Sequence, residues 1–422
     1  FGVGLNKVRV ALYICWNLVT TTRFQQRTTP MFSSSIFGQL LKLVPRDDFA
    51  KLVARHGSDR WRKSFRTWDH LVAMLGVQFG GLSSLRDVET VLNSHTNHLY
   101  HFGSRRVSRS TLSDANRDRD SAVFADLAVS MLPGLRRDAG ELKDVLSILD
   151  SSLIRLSGRG HDWALATQTR SHNQGLKLHV QYAPHSERVE FVKLTDSNVN
   201  DITVGREVSI EAGRIYVFDK GYCDYNWWHK IAEAGSMFVT RLKANAAFEV
   251  IEERSTTTEQ ADLIISDRLI KLTNSRPRGG KINQLAGVPL RLVQIPHPNG
   301  TGKPFWIVSN DLKASAEQIA GCYKQRWAIE LVFKWLKQNL KIKSFIGENR
   351  NAILIQIYVA IIAYVLLKRF HKMTAGQHLN RLKDVLVYVA NNLFCRPKTE
   401  VWQRRRRQKH AQIQPDLWSQ PC

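Results

Sequence analysis

The sequence is poor in the devices that stabilise small secreted proteins. Its 422 residues hold five cysteines, Cys15, Cys223, Cys322, Cys395 and Cys422, all scattered singly. With no CxxC pair and no Cys/His cluster at zinc spacing, a disulfide scaffold and a structural zinc are excluded, and a reducing cytoplasm is implied. Long apolar runs are also lacking. The segment AILIQIYVAIIAYVLL, residues 352–367, contains Gln356 and falls short of the roughly 20 residues a bilayer demands. It reads as a buried core helix, with no membrane partner. The chain opens on Phe1 rather than Met, and its first stretch has Lys7 and Arg9 before a short apolar segment but no small-residue cleavage site. Met31 reads as a clean protein start, so residues 1–30 are set aside as a non-native or disordered leader. No internal repeat is evident.

Acidic charge is scarce as well. Sixty-one Lys and Arg stand against 37 Asp and Glu, a net charge of +24. Such self-repulsion makes nucleic acid the first partner to consider, ahead of a membrane surface or a merely soluble basic protein. The length exceeds one compact core, so two or three structural units are expected.

From about Phe37 to Leu132 apolar residues recur at helical spacing, which predicts an all-helical N-terminal domain over 31–142. Ser83, Ser110 or Ser113 are candidate helix caps there. Near residue 145 the texture changes to short β-type runs: VLSILD, LKLHVQYA, ERVEFVKL, RIYVFD and SMFVTRL. Three strands, a connection and two more strands make the first part of an α/β core, residues 143–243. A strand-rich, Gly/Pro-punctuated stretch at 244–310 follows, then a helix over about Leu312–Leu340 and the apolar helix within 311–372. A basic tail occupies 373–422, where Arg404–Arg407 and Lys409 form a single-sign block suited to non-specific DNA contact.

Asp150 ends VLSILD and Asp219 ends RIYVFD, each where an apolar strand leaves the sheet, the edge at which α/β sheets bind ligands. Either one alone reads better as a turn or cap residue after a strand. The pair gains meaning from GCYKQRWAIELVFKWLKQNL. At 100° per residue, Tyr323, Arg326, Glu330, Lys334 and Lys337 share one polar stripe on an otherwise apolar helix. Ile329, Val332, Phe333, Leu336 and Leu340 lie on one flank, with Trp327, Leu331 and Trp335 on the other. A helix this apolar is expected to be buried, so that its ionisable stripe lines a site.

These motifs together resemble the insertion-sequence-four family of bacterial DDE transposases. The spacing Y-x2-R-x3-E-x6-K, met at Tyr323, Arg326, Glu330 and Lys337, is that family's signature, and LDSS at Asp150 with FDKGY at Asp219 completes the D, D, E order. FGQLLKLVPRDDFAKLV, SFRTWDHLVAML, SLRDVETVL, HLYHFG and SRSTLSDAN resemble the helical domain of many members. The resemblance spans roughly residues 31–370.

What it implies is an RNase H-like mixed sheet core with a β-rich insertion domain at 244–310, preceded by the helical DNA-binding domain. It also implies a transposase that binds terminal inverted repeats and performs metal-dependent cleavage and strand transfer by cut and paste, with a hairpin intermediate permitted. Two Mg2+ ions, replaceable by Mn2+, would sit on Asp150, Asp219 and Glu330, with Asp150 bridging. Tyr323, Arg326, Lys334 and Lys337 would hold DNA phosphate, and Phe305 or Trp306 is a candidate for stacking a flipped base. Partners implied are inverted-repeat and target DNA and a second copy of the chain, in a nucleoid-associated bacterial setting. A related nuclease, a DNA-binding copy without activity and a DNA-packaging protein are the competing readings. Asp311 or Asn310 is expected to cap the following helix, Asp196 and Asp201 to lie in a loop, and Lys177 and His179 to share one strand face.

Overall fold

A computed structural model describes residues 35–132, 145–156, 163, 175–254, 264–277, 280–297, 302–342, 344–374 and 379–396. The leader at 1–30 and the arginine block of the tail lie outside the described residues.

The N-terminal region is helical: α1 (Ile36–Lys42), α2 (Arg46–Arg55), α3 (Thr67–Gly80), α4 (Leu85–Ser94), α5 (Thr96–His101), α6 (Arg109–Asp118) and α7 (Ala122–Met131). Its caps differ from those expected. Ser84 and Ser108, not Ser83, Ser110 or Ser113, accept the free backbone N–H groups at the starts of α4 and α6. Ser110 and Ser113 already lie inside α6, while Ser83 donates its N–H to Asp87 and accepts from Lys341 Nζ without capping a helix. At the other end of α3 the chain turns at Gly81, whose φ of 64° a side chain would strain.

The apolar run anticipated at 352–367 is the centre of a longer helix, α12 (Arg350–Met373). It is long and apolar enough to cross a membrane, yet it is mostly buried inside the fold. It packs against α3, α6 and α7, so the helical region and the later chain share one core. Gln356, wholly buried, is satisfied by the Lys341 and Ser344 carbonyls and by the N–H of Ile346.

Nine strands form one mixed sheet among the described residues, in the order β3-β2-β1-β4-β5-β9-β8-β7-β6. Its first half is β1 (Leu146–Arg155), β2 (Gly175–Ala183), β3 (Arg188–Asp196), β4 (Ile215–Phe218) and β5 (Met237–Arg241). β1, β4 and β5 run parallel; β2 and β3 are antiparallel additions. Along the chain, the three strands, connection and two further strands expected from the β-type runs are observed. Helices α8 (Asp201–Gly205) and α9 (Tyr225–Glu233) connect the strands.

The strand-rich stretch supplies β6 (Phe248–Arg254), β7 (Ser266–Leu272), β8 (Pro289–Ile295) and β9 (Phe305–Ser309). These strands continue the same sheet, because β9 pairs with β5. Both faces are covered, as strand alternation shows. Ile148, Val217 and Val239 pack into one core with the late helices, while Leu149, Phe218 and Phe238 pack into another around α9.

Instead of one helix over Leu312–Leu340 there are two, α10 (Ala316–Lys324) and α11 (Trp327–Asn339), with α13 (Leu382–Asn392) closing the described chain. Between α10 and α11 the hydrogen bonds shorten to i→i−3: Arg326 N–H to Tyr323, Ala328 to Gln325 and Ile329 to Arg326. Ser315 caps α10, with Gln318 closing the capping box. Asp311 instead accepts from the N–H groups of Lys313 and Ala314 in a turn, and Asn310 ties β9 to the Phe238 N–H and Ser236 carbonyl.

Candidate active site

β1 and β4 lie side by side, with Leu149 opposite Phe218, so Asp150 and Asp219 each follow the last paired residue of this parallel ladder. Asp150 is nevertheless not at a strand end. β1 runs on to Arg155, paired with antiparallel β2, and Asp150 faces Val180. It marks where β1 loses one neighbour and keeps the other. Since side chains alternate, Asp150 and Ser152 project on the face that carries Ile148, the face covered by α10 and α11, and Ser151 projects on the opposite one.

The tightened turn between α10 and α11 sets its side chains against these strands. Arg326 donates from Nη1 to Asp150 Oδ2 at 3.0 Å and from Nη2 to Glu330 Oε1 at 2.6 Å. Tyr323 is buried and donates its hydroxyl to Asp219 Oδ1 at 3.4 Å. Lys337 Nζ reaches Ser152 Oγ at 2.7 Å. Four of the five stripe residues thus meet Asp150, Ser152, Asp219 or each other. Lys334 is exposed on the outer side of α11.

The outer flank of α11 corrects one expectation. Trp327 and Leu331 are exposed, at 47% and 63%, because α11 covers β1 with only the Ile329, Val332, Phe333 and Leu336 side. Only Trp335 of that flank is half-buried, against Tyr364.

Burial raises the Asp150 carboxyl to about 6, and the nearby Glu330 and Asp219 charges push the same way against Arg326. Burial also lifts the Tyr323 hydroxyl well above its ordinary value, with Asp219 adding to it. Burial works to lower the Arg326 guanidinium, but Tyr323, Asp150 and Glu330 outweigh it and hold it firmly charged. Three carboxylates therefore gather around a site that demands positive charge, and Arg326 supplies it. No three His, Cys, Asp or Glu side chains among the described residues are yet close enough to enclose one ion. Arg326 stands between two of the carboxylates that would have to close. The donor set is all oxygen, which suits a hard divalent cation.

Two further groups were missed by reading the sequence. Arg241, at the end of β5, lies 3.8 Å from Asp219 Oδ1 and stacks its guanidinium 3.7 Å over the Phe305 ring. No local signal marks it in the sequence: pairing of Phe218 with Thr240 sets the next residues, Asp219 and Arg241, side by side. Phe305 accordingly lies one residue removed from the carboxylates, while Trp306 packs edge-on against Phe248 in the second core.

Asp201 is the other. Placed in a loop by the sequence, it opens α8, and its Oδ1 accepts from Ser151 Oγ at 2.8 Å and from Lys177 Nζ at 3.0 Å. His179 lies on the same strand face, its Nδ1 3.9 Å from Asp201. The loop after Asp219 presses on this carboxylate as well: a Cβ on Gly221 would come within 2.7 Å of Asp201 Oδ2. Asp201 thus touches the segments carrying both Asp150 and Asp219. Asp196, by contrast, pairs with Arg350.

Residues 141–366 match the family described as the transposase DDE domain. The chain belongs to the DDE transposase family. Residues 33–105 match a second family, a domain of unknown function, so this DDE family member carries a recurring module before its sheet. Among named transposases it is similar to y4zB of Sinorhizobium fredii, 40% identical over 61% of this chain and 70% of that protein. It is 28% identical to the IS5377 insertion-sequence transposase of Geobacillus stearothermophilus over 55% of this chain and 58% of that one. With the IS4SA transposase of Synechocystis the identity is 29%, over 62% and 71%. The resemblance to insertion-sequence transposases is therefore supported by sequence similarity over 55% to 62% of this chain.

Proposed function

We propose that the chain binds the terminal inverted repeats of an insertion sequence and moves it by cut and paste, using Asp150, Asp219 and Glu330 to cut DNA and to join the freed 3' end to target DNA. The observation that carries this reading is the approach of three carboxylates, from β1, from the residue after β4 and from α11, to Arg326 and Tyr323 on one face of the sheet. A structural ion pair would need one carboxylate for Arg326. This site has three, with Asp150 raised, an arrangement unfavourable without added positive charge.

Asp150, Asp219 and Glu330 would hold two Mg2+ ions, with Mn2+ as a substitute. Bound there, such ions lower the pKa of water and neutralise charge on a phosphodiester under attack. The chain's own groups do the rest. Arg326, once its carboxylates are engaged elsewhere, offers a planar fork of donors that fits phosphate bidentately. Tyr323 keeps its proton at neutral pH and so remains a hydrogen-bond donor beside Asp219. Lys337 and Lys334 add point charges along α11, and Arg241 approaches Asp219 from the other side. Two ends must be held together for joining, so the acting form is a homodimer on DNA, with target DNA as second substrate.

The test is a cleavage assay on duplexes carrying the repeats that flank the chain's own coding locus. The wild-type chain should nick them in Mg2+, and Asp150→Asn should bind equally well without nicking. Cleavage by Asp150→Asn at the wild-type rate overturns the assignment. Binding without cleavage by the wild-type chain would favour the copy without activity.

A further inference from the structure

We infer that the groove between α9 and the connection from β7 to β8 is a seat for single-stranded DNA, separate from the carboxylate site. It holds about 970 Å³ and lies on the α9 side of the sheet, the face opposite the one from which Asp150 and Asp219 project. Two segments lead into it from the active site. Cys223 lines it four residues after Asp219, and Lys243 lines it two residues after Arg241. Four extended residues span at most roughly 14 Å, so the groove is a short reach from the carboxylates.

Its chemistry is that of a polyanion site. Lys230, Lys243 and Lys281 converge on it from α9, from the end of β5 and from the β7 to β8 connection, and no carboxylate pairs with them among the described residues. Asp224 is the acidic lining residue, and it is already engaged by Arg206 and by the Trp227 N–H. Three cations brought together without a counter-ion repel one another and gain by meeting phosphates.

The remaining lining selects a strand rather than a lone anion. The half-buried Tyr225 ring lies in the wall, and a base can stack on such a ring whatever its identity. Trp227 also lines the groove, is 3% exposed, and has an indole N–H with no acceptor among the described residues. A volume of this size takes a few nucleotides and is too small for a duplex. The walls are fixed relative to one another: the Asn226 side chain donates to the Ile282 carbonyl and accepts from the Gln284 N–H, pinning the connection to α9. The seat is therefore preorganised, and its occupant would be a strand freed from its partner near the cut.

This inference rests on the DNA reading proposed above, and its test separates the two. Fluorescein-labelled oligothymidine of about 15 nucleotides is titrated with the full chain, without divalent metal, over a range of salt. Lys230→Ala/Lys243→Ala/Lys281→Ala should bind at least about tenfold more weakly, with a log affinity against log salt slope shallower by about 2, at about 0.7 per single-strand phosphate contact. Two controls accompany it. Arg at the same three positions should restore binding, and alanine at the exposed Lys51, Lys313 and Lys383, which removes the same net charge, should leave it near wild type. Equal affinity and slope in the wild type and the groove triple would overturn the inference, as would an equal loss in the control triple. Absence of any DNA binding by the wild-type chain, duplex or single-stranded, would instead overturn the transposase reading.

Discussion

The guanidinium of Arg326 sits 3.0 Å from Asp150 and shares its other nitrogen with Glu330, placing a cation between two of the three candidate catalytic carboxylates. This pair links the β1 residue that loses its parallel neighbour to the turn where α10 tightens into α11. It makes Arg326 a competitor for any cation that binds these carboxylates.

Arg326→Gln should therefore separate stability from metal affinity. Removing one partner of a largely buried pair costs about 3 kcal/mol, which appears as a lower thermal midpoint in metal-free buffer. Added Mg2+ or Mn2+ should then raise the midpoint of the variant more than that of the wild type, because the carboxylates no longer have a protein counter-charge. Equal metal-induced shifts in the two proteins would refute the competition.

Asp201 should act as a positioning residue. Asp201→Ala frees Ser151 and leaves Lys177, 18% exposed at its side chain, without its carboxylate, so a loss of about 2 kcal/mol is expected. Ser151→Ala removes only the link to the Asp150 segment. It should lower cleavage severalfold while leaving DNA affinity and the thermal midpoint close to wild type. Gly221→Ala, which drives a methyl group against Asp201 Oδ2, should reproduce the cleavage defect. Full activity in both Ser151→Ala and Gly221→Ala would remove Asp201 from the account.

The side chains that meet here were singled out in the sequence because their signals are local. Each of Asp150 and Asp219 follows an apolar β-type run, and the Tyr323 to Lys337 spacing survives the tightened turn, since a few residues at i→i−3 move the stripe only slightly. What was not legible depends on pairing. That β1 continues past Asp150 follows from β2 lying beside it, and Arg241 is brought to Asp219 by strand register alone. Asp201 reached the site through the packing of α8 against β1, which no periodicity encodes. Likewise, apolar content predicted a buried α11, but only contacts reveal that a single side of it is covered.

Trp327 and Leu331 test that last point. Trp327→Ala and Leu331→Ala should each change the thermal midpoint within the range of ordinary surface substitutions, about 0.5 kcal/mol, whereas Val332→Ala should cost about 2 kcal/mol or more. A large loss at Leu331 would mean that this flank is covered in the free chain.

Stability should fall on mild acidification. Burial holds the imidazole of His70 down at about 3, and that of His179 at about 4, so the folded protein keeps both neutral. In the unfolded chain they take up protons near their ordinary 6.5, so the unfolded state binds more protons between there and pH 4, and stability drops as pH falls from about 6.5. Asp150, raised to about 6, works the other way over about pH 4 to 6. His70→Gln keeps a donor for Asn116 Oδ1 and should flatten the fall in thermal midpoint between pH 7 and pH 5. An unchanged pH dependence in both His70→Gln and His179→Gln would contradict the assignment.

The most direct test of the central claim maps the 3' ends produced in Mg2+ when the chain meets DNA bearing the repeats of its own locus, with Glu330→Gln alongside. The wild-type chain should leave 3'-hydroxyl ends at the repeat boundary, and Glu330→Gln should leave none while binding the same DNA. Ends scattered away from the boundary, or equal cleavage by Glu330→Gln, would contradict the claim.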